Sequence, residues 1–196
     1  MYLFFESIKC INGKLDNIDY HNSRVRKTLA AFYNGSSFDL SEIIVPDRYK
    51  VGLYKLRVIY SDKIEKFELL PYQKREIKSL KIIETNDINY NYKYFDRTQL
   101  NNFFSMRGKC DDIIILKNGL ATDSSYSNLV FDDGINLFTP KTYLLKGTKI
   151  SKLIDDSIVS LKEIKISEFY NFKQVHLINA MLDIGDTVIQ IENIIQ

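Results

Sequence analysis

The stretch Tyr90-Asn91-Tyr92-Lys93-Tyr94-Phe95-Asp96-Arg97 is dense in aromatic rings and places one lysine among them. Aromatic residues favour pleated surfaces, so the stretch predicts a strand with the three tyrosines on one face and Lys93 on the other. On a stiff element with apolar neighbours, desolvation would lower the pKa of the Lys93 amine and make it a better nucleophile. Taken alone, the stretch is better explained by an ordinary solvated lysine. A functional role for Lys93 depends on whether other parts of the chain provide residues that would use its amine.

Composition sets broad limits on what the protein is. Its 196 residues suffice for one large domain or two small ones, and 45% hydrophobic with 27% charged residues is typical of a folded, soluble protein. A formal net charge of +2 gives no reason to expect nucleic acid or a membrane surface as a partner. No apolar run approaches the roughly 20 residues of a membrane span, and the start of the chain lacks the basic region of a signal peptide.

The cysteines and histidines give no sign of a metal site. Cys10 and Cys110 are far apart in the sequence and have neither metal-binding nor redox spacing, which is typical of a reduced cytoplasmic protein. The two histidines, His21 and His176, form no HExxH pattern, so we expect no metal.

The first half of the chain predicts a small α+β domain, residues 1–86. A helix over 21–33 places Arg24 in its first turn, where a cation opposes the helix dipole. In the strand over 53–60, Arg57 lies on the polar face. The remaining strands are predicted from alternation and turn signals, over 2–8, 14–18, 64–70 and 78–85.

The second half predicts a larger domain, residues 87–196. Asp96 would cap a short helix, and two hairpins follow at Asn118-Gly119 and Asp133-Gly134. A second helix is predicted over 148–156, and strands over 112–117, 161–166 and 175–178. The whole chain is therefore expected to be an α+β protein with many short, mostly antiparallel strands and few helices.

Four scattered pieces form an ordered set. They are Phe5-Glu6-Ser7-Ile8 with Tyr20-His21-Asn22-Ser23-Arg24; the stretch around Lys93; Asn118 to Asn128, which reads NGLATDSSYSN; and Thr139-Pro140 with Leu144-Leu145-Lys146-Gly147-Thr148 and Leu177-Ile178-Asn179-Ala180. In this order they resemble the class IV aminotransferase family, the fold-type-IV pyridoxal phosphate enzymes. The resemblance covers nearly the whole chain and implies a two-domain fold like that of the D-amino-acid aminotransferases, with pyridoxal 5'-phosphate as the cofactor.

The resemblance also implies a role for each matching residue. Lys93 sits where the family has the lysine that forms a Schiff base with the cofactor, and Arg24 matches the arginine that holds the cofactor phosphate. Asp123 matches the acid that faces the pyridine nitrogen, and the remaining matches lie beside the cofactor or in phosphate-binding turns: Asn128, Gly147, Thr148, Lys149, Asn179 and Ala180. Each residue also has an ordinary structural explanation, such as an Asx turn for Asp123. Chance agreement of the whole ordered set is low.

These residue types suit the chemistry. A carboxylate facing the ring keeps its nitrogen protonated, so that the ring can accept electrons. A helix that begins after a small residue, as at Gly147-Thr148, is a ready phosphate site. A displaced lysine can then move protons between carbon centres.

The sequence departs from the family in three places and is shorter than most members. Asp123 stands where the family more often has glutamate, Lys149 is followed by Ile150 without the usual arginine, and Ala180 lacks the hydroxyl of serine or threonine. Most of the shortening lies between Arg24 and Lys93, in the domain that helps to build the substrate pocket in the family.

Three functions are compatible with the resemblance. The short chain and its FES-I start favour a lyase that converts 4-amino-4-deoxychorismate to 4-aminobenzoate and pyruvate, in folate biosynthesis. The alternative is an aminotransferase for a small branched-chain or D-amino acid, and the third is a non-catalytic relative. Either enzyme acts on a small-molecule amino substrate, whose carboxylate Arg57 could bind. The family also implies a homodimer.

Overall fold

The computed structural model describes residues 2–196 and divides the chain into two compact units. The first contains the residues up to Lys74 together with Tyr92–Asp96, and the second contains Arg75–Asn91 together with Arg97–Gln196. This division differs from the predicted boundary at residue 86. The strand Leu80–Glu84 pairs with strands of the second unit, and the stretch around Lys93 returns to the first.

The first unit is a four-stranded antiparallel sheet with one long helix. The elements are β1 (Phe4–Ile11), β2 (Lys14–Leu15), α1 (Ile18–Phe32), β3 (Leu53–Tyr60) and β4 (Ile64–Pro71), with short 3-10 turns at Leu40–Glu42 and Asp47–Tyr49. The strands lie in the order β2-β1-β3-β4. The Asn12-Gly13 turn between β1 and β2 has positive φ at both residues, the backbone for which Asn-Gly is favoured.

The core of this unit lies where α1 packs on the sheet. Alternate residues of β1, among them Phe4 and Ile8, are fully buried against Val25 and Leu29 of the helix. The helix begins at Ile18, three residues earlier than predicted. Arg24 therefore lies in the second turn and not in the first, so the expected conflict with the helix dipole is much reduced.

The stretch around Lys93 is not the regular strand that its alternation predicts. It makes one bridge, between Tyr94 and Phe4, and Tyr92 and Tyr94 pack into the core of the first unit. Tyr90 packs instead with a cluster of the second unit, so the three tyrosines do not share one face. Local alternation was overridden because the tyrosines pack into two different cores.

The second unit is built on a larger mixed sheet. The elements are β5 (Leu80–Glu84), α2 (Thr98–Ser105), β6 (Asp112–Lys117), β7 (Leu120–Ser124), β8 (Asn128–Asp132), β9 (Leu137–Pro140), α3 (Thr148–Asp155), β10 (Ser160–Lys162), β11 (Gln174–Ile178), β12 (Val188–Gln190) and β13 (Ile194–Ile195), with 3-10 turns at Ile166–Asn171 and Ile191–Asn193. Most neighbouring strands are antiparallel, but β5 is parallel to β6 and β13, and β9 is parallel to β10.

The centre of this sheet follows from the isoleucine-rich run of β6. Ile113 to Leu116 are fully buried, as expected of a strand covered on both faces. The Asn118-Gly119 turn joins β6 to β7 with positive φ at both residues. The predicted strand over 161–166 is wrong in extent, because only Ser160–Lys162 forms a regular strand, along β9, and Lys165 makes a single bridge with Leu120. The predicted α+β class with many short, mostly antiparallel strands is confirmed.

None of the helices in residues 2–196 has both the length and the apolar character needed to cross a membrane. The same residues contain no group of three or more His, Cys, Asp or Glu side chains that could hold a metal ion.

Phe4 joins the sheet, the helix and the stretch around Lys93, so its truncation should destabilise the first unit. Its ring lies 4.9 Å from that of Phe32 and 5.2 Å from that of Tyr94. We expect Phe4→Ala to lower the free energy of unfolding by about 3–5 kcal/mol in urea titrations. The matched control is Phe67→Ala in the same sheet, because Phe67 is 45% exposed and should change stability by only about 0.5 kcal/mol. Equal losses in the two variants would contradict this account of the core.

Candidate active site

The main chain of Lys93 is fastened to the beginning of β1. The N–H of Phe5 donates to the Lys93 carbonyl at 3.1 Å, and the N–H of Phe95 donates to the Leu3 carbonyl at 2.8 Å. These two bonds flank the bridge between Phe4 and Tyr94. Lys93 is thus held on both sides by sheet-type pairing although it lies outside any regular strand.

The Lys93 side chain lies over an aromatic ring. Its Nζ is 4.7 Å from the centroid of the Phe5 ring, a distance at which an ammonium is attracted by the ring face. The amine is therefore partly buried and held beside an apolar surface. This is the placement among apolar neighbours that the sequence predicts, although Phe5 provides it and the tyrosines of the stretch do not.

The side chains of Arg57 and Lys93 lie against the same aromatic ring, a proximity that the sequence does not show. Its Cζ is 5.5 Å from the Phe5 ring centroid and 5.4 Å from that of Phe95. Because Lys93 Nζ lies over the same Phe5 ring, the amine and the guanidinium carbon are within about 10 Å of each other. Within residues 2–196, no carboxylate forms a salt bridge with Arg57, and its buried Nε has no hydrogen-bond partner.

Arg24 is paired with a fully buried carboxylate of β1. Its Nε donates to Glu6 Oε1 at 2.8 Å, and its Nη2 donates to Glu6 Oε2. His21, one helical turn earlier, places Nδ1 2.6 Å from the same Oε2. The Arg24 side chain is only 12% exposed, so it is a buried, oriented cation and not a loose surface one.

The ionisation of Glu6 and His21 follows from this arrangement. Burial alone would raise the pKa of Glu6, but the charge of Arg24 and the hydrogen bond from His21 outweigh it and lower the pKa to about 2. Burial lowers the pKa of His21 below its usual value, and the positive charges of Arg24 and Lys93 act in the same direction. A carboxylate, a guanidinium and a neutral imidazole that donates from Nδ1 therefore coexist here.

In the second unit, Asp123 and Asn128 hold the loop that precedes α3. Asp123 Oδ2 accepts from the N–H groups of Leu144 and Leu145, both at 3.0 Å, and Oδ1 accepts from Asn128 Nδ2 at 2.8 Å. Asn128 in turn donates to the Leu145 carbonyl and accepts from the Gly147 N–H. Both side chains are buried, so the loop is fixed to β7 and β8 by these bonds.

Gly147 permits a close approach at the start of α3. A Cβ at this position would lie 2.2 Å from Asn128 Oδ1, which no real side chain tolerates. No side chain caps the helix at this end, and Thr148 is buried in its first turn. An uncapped helix start with a small residue before it can receive an anion. The Lys149 side chain points elsewhere, because its Nζ pairs with Asp183 at 2.7 Å.

The turn at Asn179 and Ala180 is tied to the loop that follows Asp123. Asn179 Nδ2 donates to Ser127 Oγ at 2.9 Å, and Asn179 Oδ1 accepts from the Met181 N–H at 2.8 Å. The hydrogen bonds thus join Asp123, Asn128 and Gly147 into one set, and a separate bond ties Asn179 to Ser127, which directly precedes Asn128.

Sequence reasoning assigned no role to Glu6 and His21, although both lie in quoted motifs. The alternation of residues in β1 could have indicated that Glu6 is buried. Phe4, Glu6 and Ile8 point to the same buried face, and an acid on an apolar face needs a cationic or hydrogen-bonding partner. The partner itself could not be deduced, because it depends on how α1 crosses the sheet.

Comparison with known proteins shows the family to which the chain belongs. The model of the class IV amino-transferase family matches residues 3–186. The chain belongs to the class IV aminotransferase family. An uncharacterised protein of Haemophilus influenzae is 35% identical over 185 residues, which cover 92% of this chain and 98% of that protein.

Solved structures agree with the family. A Haemophilus somnus 129PT chain, provisionally described as a 4-amino-4-deoxychorismate lyase, is 33% identical with a TM-score of 0.84 over 92% of this chain and 97% of that one. A hypothetical aminotransferase from Mycobacterium tuberculosis in its PLP-bound form is 14% identical, with a TM-score of 0.72 over 98% of this chain and 81% of that one; this likeness shows the fold alone. The chain is therefore an enzyme of a family that depends on pyridoxal 5'-phosphate.

The side chains of this class IV aminotransferase fit that cofactor. The first unit offers an oriented amine at Lys93 and a buried guanidinium at Arg24. The second offers a buried carboxylate at Asp123 and an uncapped helix start whose glycine admits no Cβ. An amine, an acid and two anion-binding groups are the donor set that an aldehyde, a pyridine nitrogen and a phosphate require.

The low pKa of Glu6 makes the stability of this enzyme sensitive to acid. The pKa is about 2 in the folded chain against an ordinary 4.5, so the ion pair contributes fully above pH 4.5. The part of the stability that depends on this ionisation, about 3 kcal/mol relative to protonated Glu6, is lost as the pH falls from 4.5 towards 2; it does not include the cost of burying the two charges. We expect urea-unfolding free energies between pH 5 and 2.5 to fall less steeply for Glu6→Gln than for the wild type. Glu68→Gln, a substitution nearer the surface on β4, should keep the wild-type slope; an unchanged slope in Glu6→Gln would contradict the assignment.

Proposed function

We propose that the enzyme is a lyase that converts 4-amino-4-deoxychorismate to 4-aminobenzoate and pyruvate, a reaction of folate biosynthesis. The observation that supports it is the 33% identity to the Haemophilus somnus chain, which extends over nearly the full length of both proteins.

In this proposal the cofactor is held by residues of known surroundings. In the first unit, Lys93 would bond the cofactor aldehyde and Arg24 would bind phosphate through its side chain. In the second unit, the α3 start at Gly147 and Thr148 would bind phosphate through backbone N–H groups, and Asp123, with Asn128 beside it, would hold the pyridine nitrogen. Asn179 and Ala180 contribute a second phosphate-binding turn, and Lys149 contributes through its backbone, because its side chain is committed to Asp183.

The chemistry then rests on one movable amine. Bound pyridoxal phosphate supplies a ring that accepts electrons from the carbon next to the substrate nitrogen. Lys93 Nζ would take the proton from that carbon, and the bond between the neighbouring ring carbon and the ether oxygen would then break. The three-carbon fragment would leave with that oxygen as enolpyruvate, and the proton held by Lys93 would return to its methylene carbon to give pyruvate. The aromatic ring of 4-aminobenzoate remains.

We also propose that Arg57 binds a substrate carboxylate. Its guanidinium is clamped between Phe5 and Phe95 near Lys93, and the described residues leave it without a salt bridge. A planar guanidinium of fixed orientation is suited to a carboxylate, which it can bind through two N–H donors. Phe95, which is 40% exposed, would at the same time offer apolar surface to the ring of the substrate.

The second candidate is an aminotransferase for a small branched-chain or D-amino acid. The fold is shared with proteins described as aminotransferases, among them the Mycobacterium tuberculosis protein. The same Arg57 would then bind the carboxylate of the amino acid. The family assignment favours either enzyme over a non-catalytic relative.

Two further proposals follow from the family resemblance and the side chains. We propose a homodimer, which light scattering on the purified protein would test. We also propose a cytoplasmic location, supported by two free, buried cysteines in the described residues, a state that persists in reducing compartments.

A product assay separates the two functions. We expect 4-aminobenzoate and pyruvate to form from 4-amino-4-deoxychorismate, faster than amino groups are transferred from D-alanine or leucine under the same conditions. Lys93→Ala should lose at least about a thousandfold in turnover, because no other described amine occupies its place. Ready amino transfer without any 4-aminobenzoate would replace the lyase by the aminotransferase.

The role of Arg57 is tested by removing its charge and keeping its length. Arg57→Met should raise KM by roughly 10–100-fold, since a charge-assisted contact is worth roughly 1.5–3 kcal/mol. Affinity for pyridoxal phosphate should not change. The matched control is Arg48→Met, because Arg48 also lies over a ring, that of Tyr49 at 4.9 Å. Equal KM values for the wild type and Arg57→Met would remove Arg57 from the substrate site.

A further inference from the structure

Glu6 is a fully buried carboxylate that no proposed step uses. It lies on β1 and contacts three nitrogen atoms: Nε and Nη2 of Arg24, and Nδ1 of His21. Such a group is expensive, because burying an ion costs several kcal/mol before any pairing is counted. The buried ion pair is therefore weak evidence for stability, and a different reason for its presence has to be sought.

The geometry gives that reason. A carboxylate that binds Nε and Nη2 together grips one edge of the planar guanidinium, and this fixes both the position and the plane of the group. Glu6 cannot follow a moving arginine, because it is fully buried and His21 holds its Oε2 from the other side. The donors on the Nη1 side of Arg24 are consequently presented in one fixed direction.

We propose that Glu6 is a positioning residue that orients Arg24 towards the cofactor phosphate, with His21 fixing Glu6. This rests on the proposed role of Arg24 as a phosphate ligand. An arginine side chain without such a partner loses rotamer freedom when it binds a phosphate, and this entropy loss weakens binding. Because Glu6 already holds Arg24 in the folded protein, the entropy is lost on folding and not on phosphate binding. Glu6 also balances a cluster of positive charge, because Arg24 and Lys93 both lie close enough to affect the ionisation of His21.

Removing the Glu6 charge should weaken the binding of pyridoxal 5'-phosphate but not that of pyridoxal, which lacks the phosphate. Glu6→Gln retains the shape of the side chain but removes the charge and one acceptor oxygen. We expect apo-enzyme carrying this change to lose roughly tenfold or more in affinity for pyridoxal 5'-phosphate. Affinity for pyridoxal, which has no phosphate, should stay within about twofold of the wild type. Both affinities are measured by absorbance titration, independently of turnover.

Two further variants keep the test informative. Glu6→Asp retains the charge but cannot reach both nitrogens from the same backbone, so it should show the same phosphate-selective loss if Glu6→Gln does not fold. In Glu6→Gln/Arg24→Met, both partners are neutral and no charge is left buried alone. Its preference for pyridoxal 5'-phosphate over pyridoxal should equal that of Arg24→Met alone, because Glu6 acts through Arg24. Glu68→Gln is the control and should retain both affinities.

The outcomes distinguish this inference from the proposed function. Equal loss of both ligands in Glu6→Gln or Glu6→Asp would make Glu6 merely structural and overturn the inference, as would no loss in either variant. A full additional loss in the double variant would also overturn it. If Arg24→Met retained its affinity for pyridoxal 5'-phosphate, the proposed phosphate role of Arg24 would fail, and this inference with it, whereas the lyase assay would stand unaffected.

Discussion

A buried negative charge on the apolar face of β1 constrains the whole first unit. Glu6 shares that face with Phe4 and Ile8, and water cannot reach it. The desolvation cost can be offset only by cations or donors brought to it by another element. His21 and Arg24 are three residues apart on α1 and therefore lie on the same side of the helix. The contact fixes both the register and the rotation of α1 on the sheet, because a slip of one turn would leave the charge alone.

The same strand also organises the opposite face. Phe5 points away from Glu6, and its ring lies under both the Lys93 amine and the Arg57 guanidinium. Two successive residues of β1 therefore serve different groups, one by charge and one by an aromatic face. The backbone N–H of Phe5 also donates to the carbonyl of Lys93. The positions of three cations that are distant in sequence thus depend on one short strand.

Sequence alone predicts most elements because their signals are local. The hairpin at Asn118-Gly119 and the buried strand of β6 follow from turn chemistry and from an isoleucine run. The stretch around Lys93 was predicted wrongly as a strand because its alternation is real but its tyrosines are divided between two cores. Tyr92 and Tyr94 pack with the rings of Phe4 and Phe32, which lie sixty or more positions away and cannot be identified from the local pattern. The start of α1 was misplaced for a smaller reason, since Ile18 and Tyr20 extend the helix before His21.

The sequence proposes residues for the candidate site but does not show which contacts hold them in place. Motif order picks out Lys93, Arg24 and Asp123, whereas burial and partners appear only in three dimensions. Lys149 differs from these residues, because the motif includes it but its side chain forms an ion pair with Asp183. Motifs record which positions matter along the chain. They do not record whether the side chain or the backbone of a position is used.

The aspartate at position 123 shows how a shorter side chain can be accommodated. An aspartate reaches less far than a glutamate, so groups that bind it must approach the strand that carries it. The structure meets this condition from one side, since the backbone N–H groups of Leu144 and Leu145 both come within 3.0 Å of Oδ2. Asn128 closes the arrangement by contacting Asp123, the Leu145 carbonyl and the Gly147 N–H. A side chain at position 147 would break this contact, which explains why glycine stands there. The short acid, the amide and the glycine therefore form one mutually dependent set, and a longer acid at position 123 would require the loop to move outward together with the start of α3.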